Sequence, residues 1–118
     1  MLRVDLAQVE QAAKELYLRA LKILPPDVKT GFDALSRRET DATAKNILGT
    51  MIRNIAVAEA TDNLLCQDTG IPIYNVWIGR EVQVEGHALK QAIRSGCERA
   101  TREHPLRSSV VHPITRAN

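Results

Sequence analysis

The sequence predicts a predominantly helical α+β fold, in which amphipathic helices surround one short antiparallel β-hairpin. Three observations carry this reading. Apolar residues recur at helical spacing in three long stretches, near 6–24, 41–60 and 87–102. One short run, "IPIYNVWI" at 71–78, is rich in β-branched and aromatic side chains, and a second, "VQVE" at 82–85, follows it closely. The chain has 118 residues, 44% of them hydrophobic and 25% charged, which fits a single domain over 1–118.

The first helix carries Leu6, Val9, Ala13, Leu16, Ala20 and Leu24 on one stripe, widened by Tyr17 and Leu21. Asp5 can cap its start, with Gln8 three residues on, and Pro25-Pro26 stops it. Residues 27–38 read as a short turn-and-helix connector. Ser36 and Glu39 have the spacing of a capping box, which suits a helix starting nearby. From about 41 to 60, Ala44, Ile47, Leu48, Met51, Ile52, Ile55 and Ala58 form a broad apolar stripe. With Ala56, Val57 and Ala60 added, the C-terminal half of this helix is apolar nearly all round and is expected to be buried. Asp62-Asn63 breaks the pattern.

In the hairpin, Pro72 confines the first strand to an edge, or to a start near that residue. Gly79-Arg80-Glu81 makes the turn, and Val82 and Val84 share one face of the second strand. Trp77 is expected to pack the hairpin onto a helix. Gly86 ends the second strand. Leu89, Ala92, Ile93, Gly96 and Ala100 then mark the last helix, closed by Pro105.

Composition excludes several classes of function. A net charge of +2 and four aromatic residues offer neither a basic footprint nor a stacking surface for nucleic acid. No run approaches the roughly 18 apolar residues of a membrane span. The first 20 residues mix charges throughout, unlike a secretory leader. Two cysteines do not make a disulfide framework, and the chain reads as cytoplasmic.

The chemistry concentrates in "LLCQDTGIP" at 64–72, where a thiol, an amide, a carboxylate and a hydroxyl stand side by side. Taken alone, Cys66 reads first as a packed thiol and Asp68 as a turn residue before Gly70. Cys97, on a helix, reads as a packed or surface thiol. His87, His104 and His112 have no metal-ligand spacing and read as ordinary loop or solvent histidines.

Four features taken together change the weighting: "CQDTGIP" at 66–72, "YNVWIGREVQVEG" at 74–86, the helix after it, and "PLRSSVVHPITRAN" at 105–118. The chain resembles the N-terminal part of the α subunit of the iron–sulfur hydro-lyases, the class I fumarate hydratase and L-tartrate dehydratase family. The resemblance implies a 4Fe-4S cluster held on three cysteines, with Cys66 the first. Its open iron is a Lewis acid for the hydroxyl and one carboxylate of a small dicarboxylate, and a protein base takes the proton from the adjacent carbon. Gln67 and Thr69 then bind substrate oxygens. Asp68 binds substrate and is the candidate general base, and Arg107 grips a carboxylate bidentately.

The family's α subunit is more than twice as long, and its other cluster cysteines lie beyond position 118. The chain is therefore expected to be an N-terminal piece, inactive and without a cluster by itself. It is expected to need the remainder of the α subunit and a β subunit, and to form a homodimer. The expected activity is fumarate hydration to malate, a step of the tricarboxylic acid cycle. The alternatives are L-tartrate dehydration and a non-catalytic dimerisation or docking module.

Overall fold

The structure is a computed structural model that describes residues 2–65, 70–106 and 111–117. Among these residues it contains β1 (Leu2–Arg3), α1 (Leu6–Lys22), α2 (Pro26–Arg38), α3 (Ala42–Ala60), β2 (Val82–Gln83) and α4 (Gly86–Glu103).

Local chemistry accounts for the helices. Asp5 opens α1, accepting from the Ala7 amide at 2.9 Å. Pro26 stands in the first turn of α2, where its missing N–H costs nothing. Residues 26–38 are thus a full helix rather than a short connector, and Ser36 lies in its last turn instead of opening another. Glu39 works locally, accepting from the amides of Thr40 at 2.8 Å and Asp41 at 2.9 Å. Asp41 is the cap of α3, accepting from Ala44 N–H at 2.8 Å. Glu85 caps α4 through the amides of His87 at 2.8 Å and Ala88 at 2.5 Å.

The antiparallel hairpin does not form. The turn at its centre does, with the Val82 amide donating to Gly79 O at 3.0 Å. Residues 71–78, however, adopt no strand, and β2 pairs instead with β1 in parallel, register Leu2↔Val82 and Arg3↔Gln83. The physical reason is competition for a partner. Pro72 cannot donate to a ladder. Tyr74 is drawn to α1, its hydroxyl donating to Ala13 O at 2.7 Å. The N-terminal residues meanwhile reach β2, with Leu2 N–H donating to Glu81 O at 3.3 Å. Fold class is corrected accordingly: four α-helices and a minimal parallel two-stranded sheet among the described residues.

The described chain divides into two compact units, one of residues 2–18 and 70–117, the other of residues 19–65. In the first, α4 crosses the N-terminal part of α1 on small side chains. Ala13, Ala92, Gly96 and Ala100 are buried there. A Cβ on Gly96 would stand 2.4 Å from Glu10 O and 2.8 Å from the Ala13 Cβ, so only glycine admits this approach. Arg99 pairs with Glu10 at 3.0 Å, and Lys14 with Glu103, along the flanks of the crossing.

In the second unit α2 packs on α3. Lys29 on α2 pairs with Glu59 on α3 at 2.7 Å. The expected burial of the C-terminal half of α3 is only partly realised. Ala58 is buried and Leu48, Ile52 and Ile55 are half-buried, while Met51 and Val57 are exposed. Two helices cover one stripe of each other, and α3 carries more apolar surface than α2 can cover.

Candidate functional site

The candidate ligand and substrate residues Cys66, Gln67, Asp68, Thr69 and Arg107 all lie outside the described residues. Their flanks are described, and each flank is held by specific bonds.

On the N-terminal side, α3 closes with a dense cap. The Thr61 amide and hydroxyl both donate to Val57 O, at 3.0 and 2.7 Å. Asp62 turns the chain with a φ of 53°, a left-handed conformation that aspartate tolerates better than most residues. Asn63 N–H then returns to Ala58 O at 2.9 Å, and the Asp62 carboxylate pairs with Lys22 at 2.9 Å. Leu65 is buried, its amide donating to Leu21 O at 2.9 Å. The chain therefore approaches position 66 from an anchored residue. On the far side of the motif, a Cβ at Gly70 would meet none of the described residues within 4 Å, so packing among them does not demand glycine there.

Around position 107 both flanks belong to the first unit. The His104 amide caps α4 by donating to Ala100 O at 3.2 Å, and Leu106 N–H donates to His104 O at 2.7 Å. Beyond the gap, His112 organises a tight loop. Its Nδ1 accepts from the amides of Ile114 at 3.3 Å and Thr115 at 3.2 Å, and its own amide donates to Ala117 O at 2.7 Å. Nδ1 acting as acceptor places the ring proton on Nε2 in the neutral form. His112 is thus a structural loop organiser, a role its spacing in the sequence could not reveal.

Cys97 is half-buried on α4, and its Sγ–H donates to the Tyr74 hydroxyl at 3.3 Å. That hydroxyl in turn donates to Ala13 O, so Tyr74 ties α1, α4 and residues 71–78 into one chain of bonds. Burial, reinforced by the bond to Cys97, pushes the Tyr74 phenol well above its usual value. The phenol therefore stays protonated and serves as a structural donor. The signal that could have found it is a polar-tipped aromatic inside an otherwise aliphatic run. Trp77, expected to pack against a helix, is instead 87% exposed. Tyr74 occupies the inward position, and Trp77 stands on the open side.

Whether this chain can house an iron–sulfur cluster turns on its donor set. Among the described residues no group of three His, Cys, Asp or Glu side chains stands where it could hold a metal ion. The one described thiol, Cys97, is engaged by Tyr74. The described residues therefore do not form a cage for a cluster. Among them, too, no helix is long and apolar enough to cross a membrane.

Comparison with known proteins adds what the geometry leaves open. The family model described as "Fumarate hydratase (Fumerase)" matches residues 10–118. A protein of Methanocaldococcus jannaschii named "Putative L(+)-tartrate dehydratase subunit alpha" is 38% identical over 112 residues, 94% of this chain and 39% of that protein. A Geobacillus stearothermophilus protein named "Putative fumarate hydratase class I" is 30% identical over 96 residues, 80% of this chain and 18% of that protein. The L(+)-tartrate dehydratase subunit alpha of Escherichia coli K12 is 30% identical over 95 residues, 80% of this chain and 31% of that subunit. The chain thus spans less than half the length of each of these relatives.

Proposed function

Because this chain belongs to the fumarate hydratase (fumerase) family, we propose that it serves as part of the α subunit of an iron–sulfur-dependent hydro-lyase that interconverts fumarate and malate. The observation that carries the reading is the family match over residues 10–118, which takes in both the Cys66-Gln-Asp-Thr-Gly run and Arg107. The active assembly comprises the remainder of such a subunit and a β subunit, in the cytoplasm. Two of the relatives carry the designation subunit alpha in their names, which supports a multi-subunit enzyme.

When bound, a 4Fe-4S cluster supplies a Lewis-acidic iron to the substrate's oxygens. Cys66 is proposed as one of its thiolate ligands, and the others come from beyond this chain. The remaining proposed roles belong to the chain's own side chains. Arg107 offers a guanidinium fork that matches one carboxylate of a dicarboxylate. Gln67 orients substrate through its amide, which can both donate and accept. Thr69 donates a hydroxyl to a substrate oxygen. Asp68 takes the proton from the carbon next to the departing hydroxyl, which requires its carboxylate to be ionised before the step and neutral after it.

A second reading, L-tartrate dehydration, is favoured by the 38% identity to a protein with that name. Both reactions remove water from a hydroxylated diacid, so the motif serves either.

The test uses the full-length subunit with its β partner. Cys66→Ser is expected to lose bound iron and its visible absorption. Asp68→Asn is expected to keep both, and to lower kcat by roughly 10²- to 10⁴-fold, as for a lost general base. Assays on malate and on tartrate decide between the two readings. Full iron retention in Cys66→Ser would remove the metal assignment, and unchanged turnover in Asp68→Asn would remove the base.

A further inference from the structure

The loop of residues 112–117 is closed by one side chain. We propose that His112 is a protonation switch: its neutral imidazole holds the loop shut, and uptake of one proton releases it.

The observations converge on a single residue. The Nδ1 of His112 accepts from the amides of Ile114 at 3.3 Å and Thr115 at 3.2 Å. Its own amide donates to Ala117 O at 2.7 Å, and its carbonyl accepts from the Arg116 amide at 2.9 Å. The amide, the carbonyl and Nδ1 of His112 are thus all spent on residues 114–117. Pro113 follows directly. It has no amide hydrogen to compete for Nδ1, and its fixed φ presets the bend. The imidazole works as an aspartate or asparagine side chain does when it accepts from backbone amides a short way on. It differs from them in one respect. The lone pair that accepts is also one that takes up a proton between about pH 5 and 8.

Protonation reverses the role of that nitrogen. A solvent proton forms an N–H bond at Nδ1 and leaves a cation whose two ring nitrogens both donate. The new N–H then meets the N–H groups of Ile114 and Thr115, three donors with no acceptor among them. The ring has to turn away, and both amides lose their partner. In the closed loop Arg116 is held at a φ of 60°, a left-handed conformation that is uncommon for a residue with a side chain. Release lets it relax, so the backbone favours opening once the imidazole lets go.

The surroundings leave the switch to His112. Residues 111–117 are exposed. Among the described residues no hydrogen bond or ion pair joins them to a helix. Arg116 is the one charged side chain among them, and no carboxylate of the described residues pairs with it. The imidazolium therefore meets no counter-ion there that would hold the loop closed. Arg107 stands five positions before His112. Opening the loop frees the downstream anchor of the segment that bears this proposed carboxylate-binding arginine. The switch itself does not depend on the hydro-lyase reading, because its test reads tautomer and order rather than turnover.

Nuclear magnetic resonance of the 15N-labelled chain follows both. At pH 8, long-range ring correlations are expected to show His112 with its proton on Nε2 and with Nδ1 bare. Backbone order parameters of 114–117 are expected to fall from about 0.85 to below about 0.6 as the pH is lowered to 5, with the midpoint of the His112 ring signals. His112→Asn keeps an acceptor oxygen that does not titrate, so its loop should stay ordered over the whole range. Three results would overturn the proposal: a His112 ring protonated on Nδ1 at pH 8, loop order that does not change as His112 titrates, or an equal loss of order in His112→Asn. The first two need no variant, so a variant that misfolds leaves the proposal open to refutation.

Discussion

At the scale of single residues, two positions carry more of the first unit than their size implies. Gly96 sits where α4 meets α1, and any side chain there collides with the Glu10 carbonyl and the Ala13 methyl. Gly96→Ala is expected to lower stability by about 1–3 kcal/mol, the cost of overpacking a close contact, despite alanine's better helix propensity. Chemical denaturation of the two chains checks this. Tyr74 is the other. Tyr74→Phe keeps the ring and removes the hydroxyl that serves both Ala13 O and the Cys97 thiol. A loss of about 1 kcal/mol is expected, the net worth of a typical buried hydrogen bond. A loss below the error of the measurement would show that water replaces the hydroxyl.

At the scale of elements, the cap at Asp5 was legible, whereas the caps at Asp41 and Glu85 and the strand pairing were not. Asp5 and Asp41 stand where an acidic N-cap belongs, and each accepts an amide of the first turn. Asp41→Ala is expected to cost about 1 kcal/mol by leaving an orphan amide at the start of α3. Asp41→Asn should restore most of that, since the amide oxygen can accept the same bond, and thermal denaturation of both variants tests the pair. The connector expected at 27–38 is instructive. Two prolines stop one helix, but the second is also the preferred first residue of the next, and α2 uses it so. "IPIYNVWI" has strand composition without strand pairing, because composition describes a side chain's fit to a pleated surface and says nothing of which backbone lies alongside. β1 is two residues long and directly precedes a helix. It has no periodicity from which to read it.

At the scale of the whole molecule, ion pairs link helix to helix within each unit. The Glu103 carboxyl is held below its usual value of 4.5, first by the hydrogen bond from Lys14 and further by Arg99. Glu59 is lowered in the same direction by Lys29, and Glu39 by the amides of Asp41 and Thr40. A carboxyl lowered on folding stabilises the folded chain above its unfolded value, and that stabilisation is lost as pH falls through the lower folded value. Stability should therefore decline with acidity below about pH 4.5. Glu103→Gln should flatten that decline, and denaturation midpoints taken across the acid range measure it. These groups are solvent-exposed, so added salt should weaken the effect.

The candidate site divides in the same way. Membership of the family was legible because the Cys66-Gln-Asp-Thr-Gly run and the Pro-Leu-Arg near 107 are short, ordered patterns of chemically distinctive side chains. The bonds that hold their flanks were not, since Leu65 meets Leu21 and Tyr74 meets Ala13 across long stretches of chain. By itself the sequence determined three of the four helices, the cap at Asp5 and the family, all of which are encoded by short local patterns. Tertiary structure alone decided which strand β2 pairs with, that Gly96 is the point of closest helix approach, and that Tyr74 turns inward while Trp77 faces out. A helix closes its hydrogen bonds within itself, whereas a strand or an apolar face is completed only by whatever distant segment reaches it.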